Sequence, residues 1–585
     1  MELAQANQFS RHSLRIASWT KRRSDEEIRS GRGDESKEIR SGRGDESKEI
    51  RSGRGNESGV QGLVTSSITK FKIWSSRDTQ TGEIRKYKSL RHAGHFFRYD
   101  GEPAFEPTNP VEPNLMTKSD PYSLHDDHVL DPPTTIWGSL KYVGPGFILS
   151  ASIVGSGELI ATTLAGAKAG FALMWFIIFS CFVKVAVQLE FGKHAICSGQ
   201  STMASFNSLP GPRIGKANWT IWTWLILMIA KMMQVSGILG TVLLAFAEVF
   251  PGLKTSPAYA IGLFALGASV SLLVFQGYYL LIEKISLVLI GAFTLFTLAS
   301  LIALQGTPMA ITGDEFASGL IPSIPSDWKV ILVAMGAFGI TGVGGDEIMA
   351  YNYWLIEKGY AKYTGPKNDS ADWARRAKGW IRIMYLDATL AMIAYTAMTV
   401  MFYLLGAAVL HRQSLVPEGK DLVNILGNMY TDTLQRPWAK PMFIAGAIVV
   451  LYSTLLAALA AWSRLFSDAF GRIGMFDFHE IAARRKAISI AAWIIPFAWA
   501  VLFLFIGEPA MMVIIGGLAT VVILLIVVFA AIYFRYYQAD ARLRPSLFYD
   551  IALWLSSIAI FLVAAFVVYD KVIMKLISVT ATTPE

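Results

Sequence analysis

The sequence predicts an all-α integral membrane protein with about eleven transmembrane helices, the first and sixth of them discontinuous. Three observations predict this fold class. The chain has 585 residues, of which 53% are hydrophobic, and a mean hydropathy of +0.40, which is too apolar for an ordinary soluble protein. From Trp137 onward, apolar stretches of about 20 residues follow one another. The first and sixth stretches share a motif in which glycines precede an acid, and this motif indicates helices that are broken within the bilayer.

Residues 1–135 are polar, highly charged and poor in apolar runs. The repeat EIRSGRGDESK starts at Glu27, recurs at Glu38 and begins again at Glu49. Because such a composition cannot bury a core, we expect a disordered low-complexity tail. Met116, which opens an acidic lead-in to the first apolar stretch, is an alternative translation start.

The polytopic membrane domain is predicted over residues 136–575, followed by a C-terminal tail at 576–585. The approximate spans, in order, are 139–168, 171–197, 219–249, 257–275, 281–305, 328–356, 380–410, 438–463, 486–507, 510–535 and 548–573.

The charges in the loops predict the orientation. The loops after spans two, six, eight and ten are basic, whereas the loop after span five carries Asp314, Glu315 and Asp327. The positive-inside rule then places the N-terminus in the cytoplasm of a multi-pass protein, expected in the plasma (inner) membrane. It also accounts for the formal net charge of +8, so no nucleic-acid partner is expected and lipid is the surrounding partner.

The repeated motif reads VGSGELIA at Val154–Ala161 and VGGDEIMA at Val343–Ala350. Aligned on each other, the two copies pair Gly155 with Gly344 and Glu158 with Glu347. Two glycine-interrupted helices in corresponding positions indicate a binding site at the bilayer midplane. Backbone can leave the helix at that depth only where protein or a water-filled cavity satisfies its polar groups.

A cation is the natural ligand for buried carboxylates beside freed backbone carbonyls. All of the candidate ligands are oxygens, which suit hard ions such as Mg²⁺ or Mn²⁺. The candidate metal site comprises Gly155, Ser156, Glu158, Gly344, Asp346 and Glu347. Since Asp346 and Glu347 are adjacent, we expect one to face the cavity and the other to act as a cap or gate. The alternative is that the glycines only permit close helix packing.

Four further polar residues in apolar stretches are candidates for coupling or for supporting the site: Lys231, Gln234, Glu190 and Asp387. Lys231 and Gln234 lie about one turn apart and could face the same cavity. Lys231 would then act as a built-in cation or pair with a site carboxylate; alternatively, its head reaches an aqueous vestibule. For Lys184, Glu190 and Asp387 the first interpretation is an ion pair, an interface position or a helix cap rather than a ligand. If transport is coupled to protons, Glu190 and Asp387 are the residues to examine.

Other classes of function lack support in the sequence. Cys181 and Cys197 argue against a disulfide framework and against a cysteine metal site. A phosphate-binding loop, a nucleophile with a positioned base and zinc-ligand spacing are all missing from the sequence, so we expect neither an enzyme nor a cofactor.

Several motifs resemble the NRAMP family of metal-ion transporters. They are GPGF at Gly144–Phe147, the motif at Gly155–Glu158, AGAKAGF at Ala165–Phe171, VQLEFGKHAICSG at Val187–Gly199, and Ile282–Lys284. The resemblance implies a leucine-transporter-like fold of two inverted five-helix repeats that works by alternating access. Where that family has Asp-Pro-Gly-Asn, this chain has Gly155-Ser156-Gly157-Glu158, and the sixth-helix Met-Pro-His is absent. The resemblance therefore does not extend to the Mn²⁺ or Fe²⁺ substrate of that family.

The first hypothesis is a secondary active transporter of hard divalent metal cations, such as Mg²⁺ or Mn²⁺, with proton coupling as an open question. The alternative is a symporter of a small organic solute or cation on the same fold. A third hypothesis, ranked last, is a non-transporting sensor or scaffold that binds a partner through its long N-terminal tail.

Overall fold

The computed structural model describes residues 120–125, 128–275 and 279–569. The predicted disordered tail up to residue 119 and the predicted C-terminal tail lie outside these residues. The described chain is helical apart from loops and one antiparallel pair of two-residue strands, β1 (Arg213–Ile214) and β2 (Ala217–Asn218).

Thirteen long or half-length helices form the membrane domain of the described residues. The first set is α1 (Pro145–Ile153), α2 (Thr163–Ala169), α3 (Met174–Ser198), α4 (Trp219–Val249), α5 (Ser256–Phe275) and α6 (Tyr279–Leu304). The second set is α7 (Trp328–Ile340), α8 (Gly345–Lys358), α9 (Ala371–Leu405), α10 (Ala439–Ile473), α11 (Ile481–Ile506), α12 (Pro509–Tyr533) and α13 (Leu547–Val568). The backbone is π-helical at Val154–Thr162, Gly406–His411 and Phe534–Gln538.

Short helices lie in the lead-in and in the connections between the long ones. They are Ile136–Leu140, Thr202–Asn207, Pro251–Lys254, Gly313–Leu320, Tyr360–Thr364, Gly419–Asp421, Leu422–Leu434 and Ala541–Leu543.

The predicted spans coincide with these helices. Within the described residues, nine helices are long and apolar enough to cross a membrane, or ten if the bent pair in span one is counted. The remaining predicted span, 281–305, falls on α6, which contains the shorter apolar helix Ile290–Leu304. The chain is therefore an integral multi-pass membrane protein, as predicted. Helices α9 and α10 have 35 residues each; α9 begins at Ala371, before the predicted start at 380, and α10 ends at Ile473, after the predicted end at 463.

Both predicted discontinuities are present, but they differ in kind. In span one the chain does not unwind; it widens into the π-helical turn at Val154–Thr162 and bends by 43°. In span six the helix stops at Ile340, and Thr341 and Gly344 adopt extended backbone conformations. Between them Gly342 has φ +61°, a conformation that favours glycine.

Close helix contacts explain the glycines of AGAKAGF. A Cβ on Gly166 would lie 2.4 Å from the Tyr403 carbonyl oxygen, and a Cβ on Gly406 would lie 2.3 Å from that of Thr163. The two backbones therefore touch, as small residues allow in membrane helices. This contact fixes α2 against the end of α9.

Residues 120–125 and 128–135, here called the N-terminal strap, lie within the predicted tail but pack against the helical domain. Asp120 forms an ion pair with Arg484 at 2.7 Å, and the Tyr122 hydroxyl donates to Glu357 Oε1 at 2.7 Å. Further along, Leu130 accepts a hydrogen bond from Trp380 Nε1 at 2.9 Å through its carbonyl oxygen. The ordered domain thus begins before residue 136.

Candidate functional site

The two broken helices meet at Glu158, which is fully buried in the π-helical turn of span one. The backbone N–H of Gly342, in the break of span six, donates to Glu158 Oε1 at 3.2 Å. Cys181, on α3, packs against Gly342 and lies beside the Thr399 hydroxyl of α9. The acid of one motif is therefore joined to the break of the other.

Lys184 fills the space next to this junction. Its Nζ donates to the carbonyl oxygen of Phe338 at 2.5 Å and to that of Thr341. These are carbonyl groups at the C-terminal end of α7, where a positive charge is favoured. The ammonium thus bonds backbone carbonyl oxygens at a helix break, the kind of oxygen that we predicted as a ligand of a metal ion. The sequence predicts an ion-pair, interface or capping role for Lys184, and its place on an apolar stretch, one turn from Cys181, is the signal that it is buried here.

Asp346 forms an ion pair with a second buried lysine, Lys231. It lies in the first turn of α8, where the helix dipole favours a carboxylate. Lys231 Nζ lies 2.7 Å from Asp346 Oδ1, and Trp462 Nε1 donates to Asp346 Oδ2 at 3.0 Å. Lys231 also donates to Thr520 Oγ1 at 2.7 Å. The pair thus connects α4, α8, α10 and α12.

Glu347 lines the same narrow cavity as Asp346, in contrast to the expectation that only one of the two would face it. The cavity lies between α1, α8 and α10, and its wall includes Ser152 and Trp462. The adjacent acids share it because, at the first turn of α8, the break leaves no preceding turn to cover either side chain. Among the described residues, Glu347 Oε2 has no hydrogen-bond partner.

The motif glycines make room for side chains. A Cβ on Gly155 would lie 2.1 Å from Thr454 Oγ1, and one on Gly344 would lie 2.3 Å from Glu347 Oε2. Thr454 Oγ1 donates to the carbonyl oxygen of Ala151 at 3.2 Å, so α10 and span one are in direct contact. The side chain of Ser156 lies outside the described residues.

The other predicted residues are placed away from the cavity. Gln234 packs its backbone and Cβ against Gly516 of α12, one turn from Lys231. Glu190 pairs with Lys193 at 2.7 Å and lines a separate cavity of about 330 Å³ near the end of α3. Asp387 accepts the N–H groups of Gly144 at 2.8 Å and Gly146 at 2.6 Å, and so caps the start of α1.

The site therefore holds three buried carboxylates and two buried lysines, with a formal net charge of −1. In the part of the chain that the structure describes, His, Cys, Asp and Glu side chains do not form a group of three or more arranged to hold a metal ion. Of the three acids, Asp346 is the one whose oxygen is held by a lysine, so a cation could reach Asp346 Oδ1 only if Lys231 moved away.

Comparison with known proteins identifies the family. The family described as natural resistance-associated macrophage protein-like (Nramp) matches residues 146–570, which is most of the chain. The chain belongs to this family. The Nramp resemblance of the sequence motifs is thereby confirmed, although the aspartate and methionine expected at the site are replaced.

Individual relatives are distant. The chain is 25% identical over 334 residues to an uncharacterised protein of Pasteurella multocida, a match that covers 55% of this chain and 69% of that protein. It is 31% identical over 83 residues to the divalent metal cation transporter MntH of Caldanaerobacter subterraneus, covering 14% of this chain and 19% of that one.

The fold resembles the manganese transporter of Eremococcus coleocola, with a TM-score of 0.53 at 15% identity. That match covers 78% of this chain and 91% of the transporter. The predicted leucine-transporter-like fold, with discontinuous helices one and six, is thereby confirmed. At this identity the likeness concerns the fold alone.

Proposed function

We propose that this protein is a secondary active transporter of hard divalent metal cations, such as Mg²⁺ or Mn²⁺, that works by alternating access. The observation that carries the proposal is the meeting of two broken helices at three buried carboxylates, Glu158, Asp346 and Glu347. Buried acids at bilayer depth mark ion pathways because they are too costly to keep without a partner.

The available donors favour a hard ion. Oxygen atoms supply every candidate contact, and the sulfur of Cys181 lies beside Gly342 and Thr399. Hard divalent cations prefer oxygen ligands, whereas soft sulfur favours transition metals. Family membership and the divalent metal transporter among the relatives support the same class of cargo.

Any coupled proton is best placed on the site carboxylates themselves. Asp387 is engaged in three hydrogen bonds, including one from the Tyr351 hydroxyl at 3.0 Å, and Glu190 is paired with Lys193. Glu158 and Glu347 each retain one oxygen without a hydrogen-bond partner in the described residues. We therefore assign proton coupling to these two acids rather than to Glu190 and Asp387.

For the cell context, we propose a plasma-membrane protein with its N-terminus in the cytoplasm. The basic loops after α3, α8, α10 and α12 support this orientation. Cysteine substitution at Lys367 and at Asp314, followed by labelling with an impermeant thiol reagent in intact cells, tests it. Labelling at Asp314 alone is expected, and labelling at Lys367 alone would reverse the orientation.

The test of the transport function is uptake of Mg²⁺ and Mn²⁺ into proteoliposomes by wild type and by Glu158→Gln. The wild type is expected to take up at least one of the two ions. Glu158→Gln is expected to lose more than about nine-tenths of the uptake rate, because it removes a buried negative charge that would balance the charge of the ion within the membrane. Glu418→Gln is the matched control, because Glu418 forms only an exposed ion pair with Lys168.

Normal uptake by Glu158→Gln would contradict the assignment of the site. Uptake that amines inhibit and metals do not would favour the organic-cation symporter instead.

A further inference from the structure

Lys231 differs from an ordinary buried lysine in what it contacts. It is 1% exposed, lies on the long helix α4, and directs its ammonium at Asp346 in the first turn of the half-helix α8. The distance of 2.7 Å between Lys231 Nζ and Asp346 Oδ1 is that of a close ion pair. A positive charge therefore already stands where a transported cation would approach Asp346.

A purely structural role explains this arrangement poorly. Burying two charges costs more than their attraction commonly returns, and apolar residues of similar volume often replace such pairs without loss of stability. Besides Asp346, the ammonium of Lys231 contacts Thr520 Oγ1 of α12, a neutral acceptor that does not require a charged partner. A methionine of similar length would fit a packing role at lower cost.

The formal charges of the site lead to the same conclusion. Glu158, Asp346 and Glu347 contribute −3, and Lys184 and Lys231 contribute +2. A divalent cation added to this set would leave a net charge of +1 inside the membrane, with the ammonium beside the ion. If both bound the carboxylate of Asp346, the ammonium and the divalent ion would be close neighbours, and like charges repel each other strongly where water does not screen them.

We propose that Lys231 is a tethered cation that competes with the transported divalent ion for Asp346, so that loading requires the ammonium to leave that carboxylate. This inference rests on the proposed function and specifies how the same site is loaded. Two neighbours stabilise the ion pair of Lys231 with Asp346. Thr520 accepts a hydrogen bond from the ammonium, and Trp462 donates one to the second oxygen of Asp346.

The experiment is calorimetric titration of purified full-length protein with Mg²⁺ and, separately, Mn²⁺. Lys231→Met removes the competing charge and is expected to lower the Kd at least tenfold relative to wild type. Lys231→Arg keeps the charge and is expected to leave the Kd within about threefold or raise it. Lys193→Met is the matched control, because Lys193 is an equally buried lysine paired with an acid outside the site.

A second variant keeps the test decisive if Lys231→Met fails to fold, as judged by size-exclusion profile and thermal unfolding. Thr520→Val removes the hydroxyl that accepts from the ammonium, together with its hydrogen bond to the Gly516 carbonyl oxygen, and is expected to lower the Kd about threefold. Asp346→Asn is expected to raise the Kd both in wild type and in Lys231→Met, since it removes the negative charge for which the two cations compete.

The outcomes separate the two proposals. An unchanged or raised Kd in folded Lys231→Met, with metal still bound by wild type, would overturn the competition and leave the transport function intact. If neither wild type nor folded Lys231→Met binds a divalent ion, the proposed metal cargo itself is overturned.

Discussion

At the residue scale, Asp387 shows how a carboxylate within one membrane helix can cap the start of another helix far away in the sequence. Its two oxygens accept the N–H groups of Gly144 and Gly146, which are orphan donors at the start of α1. A Cβ on Gly146 would lie 2.8 Å from Asp387 Oδ2, so glycine is required there for the carboxylate to reach the backbone. Asp387 thus caps the helix that begins at the GPGF motif, although the two segments lie far apart in the sequence. The hydroxyl of Tyr351, on α8, donates to the same carboxylate.

This assignment predicts a loss of stability rather than a loss of ion selectivity when Asp387 is changed. Asp387→Ala leaves two helix N–H groups and a buried hydroxyl without an acceptor, and is expected to lower the free energy of unfolding by about 2–4 kcal/mol. Denaturant titration in detergent measures it. Asp372→Ala, in the exposed first turn of the same helix, is the control and should change stability by under about 1 kcal/mol. If Asp387→Ala keeps wild-type stability but abolishes uptake, Asp387 belongs to the transport path.

At the scale of elements, the break in span one depends on a close contact with α10. The π-helical turn keeps its backbone hydrogen-bonded while bending by 43°, and Gly155 lets Thr454 approach the inside of the bend. Thr454 in turn bonds the carbonyl oxygen of Ala151. The role of Gly155 seen here is therefore steric, and a role as a carbonyl ligand remains a prediction.

Gly155→Ala should accordingly impair folding. The added Cβ would lie 2.1 Å from Thr454 Oγ1 and 3.0 Å from the Val450 carbonyl oxygen, so the helices must separate, at a cost of about 1–3 kcal/mol. The thermal midpoint by size-exclusion fluorescence is the readout. Gly291→Ala on α6 is the control, because a Cβ there meets nothing within 4 Å. A wild-type midpoint for Gly155→Ala would show that span one bends without needing this contact.

At the scale of the whole molecule, the N-terminal strap belongs to the folded domain. A chain that begins at Met116 keeps the contacts of Asp120 and Tyr122 and should retain the stability and uptake of the full chain. A chain that begins at Pro132 leaves the buried Arg484 without Asp120 and should lose about 3 kcal/mol or more. Chemical unfolding of the two truncated chains measures the difference, and equal stability would mean that the strap contacts contribute little.

Most of the helices could be predicted because hydropathy follows directly from the bilayer. The paired motifs likewise placed both broken helices, but they did not predict the contact of Glu158 with Gly342, which precedes the second motif. Pairing of Lys231 with a site carboxylate was one of the predicted alternatives. The acceptors of Lys184 and the glycines that Asp387 caps could not be predicted, since each contact joins segments far apart in sequence and depends on helix rotation. The beginning of the ordered domain was also missed, because the strap is held by a few specific polar contacts and lacks the periodicity that marks a helix.

The strap also meets both helices that flank the cavity, and it does so at one carboxylate. Tyr122 donates to Glu357 of α8, and the same carboxylate holds Arg464 of α10 at 2.6 Å. These are the two helices that flank the cavity of Asp346 and Glu347. Glu357 is thus a clasp between the strap, α8 and α10, and a movement that separates α8 from α10 to widen the cavity must break its ion pair with Arg464.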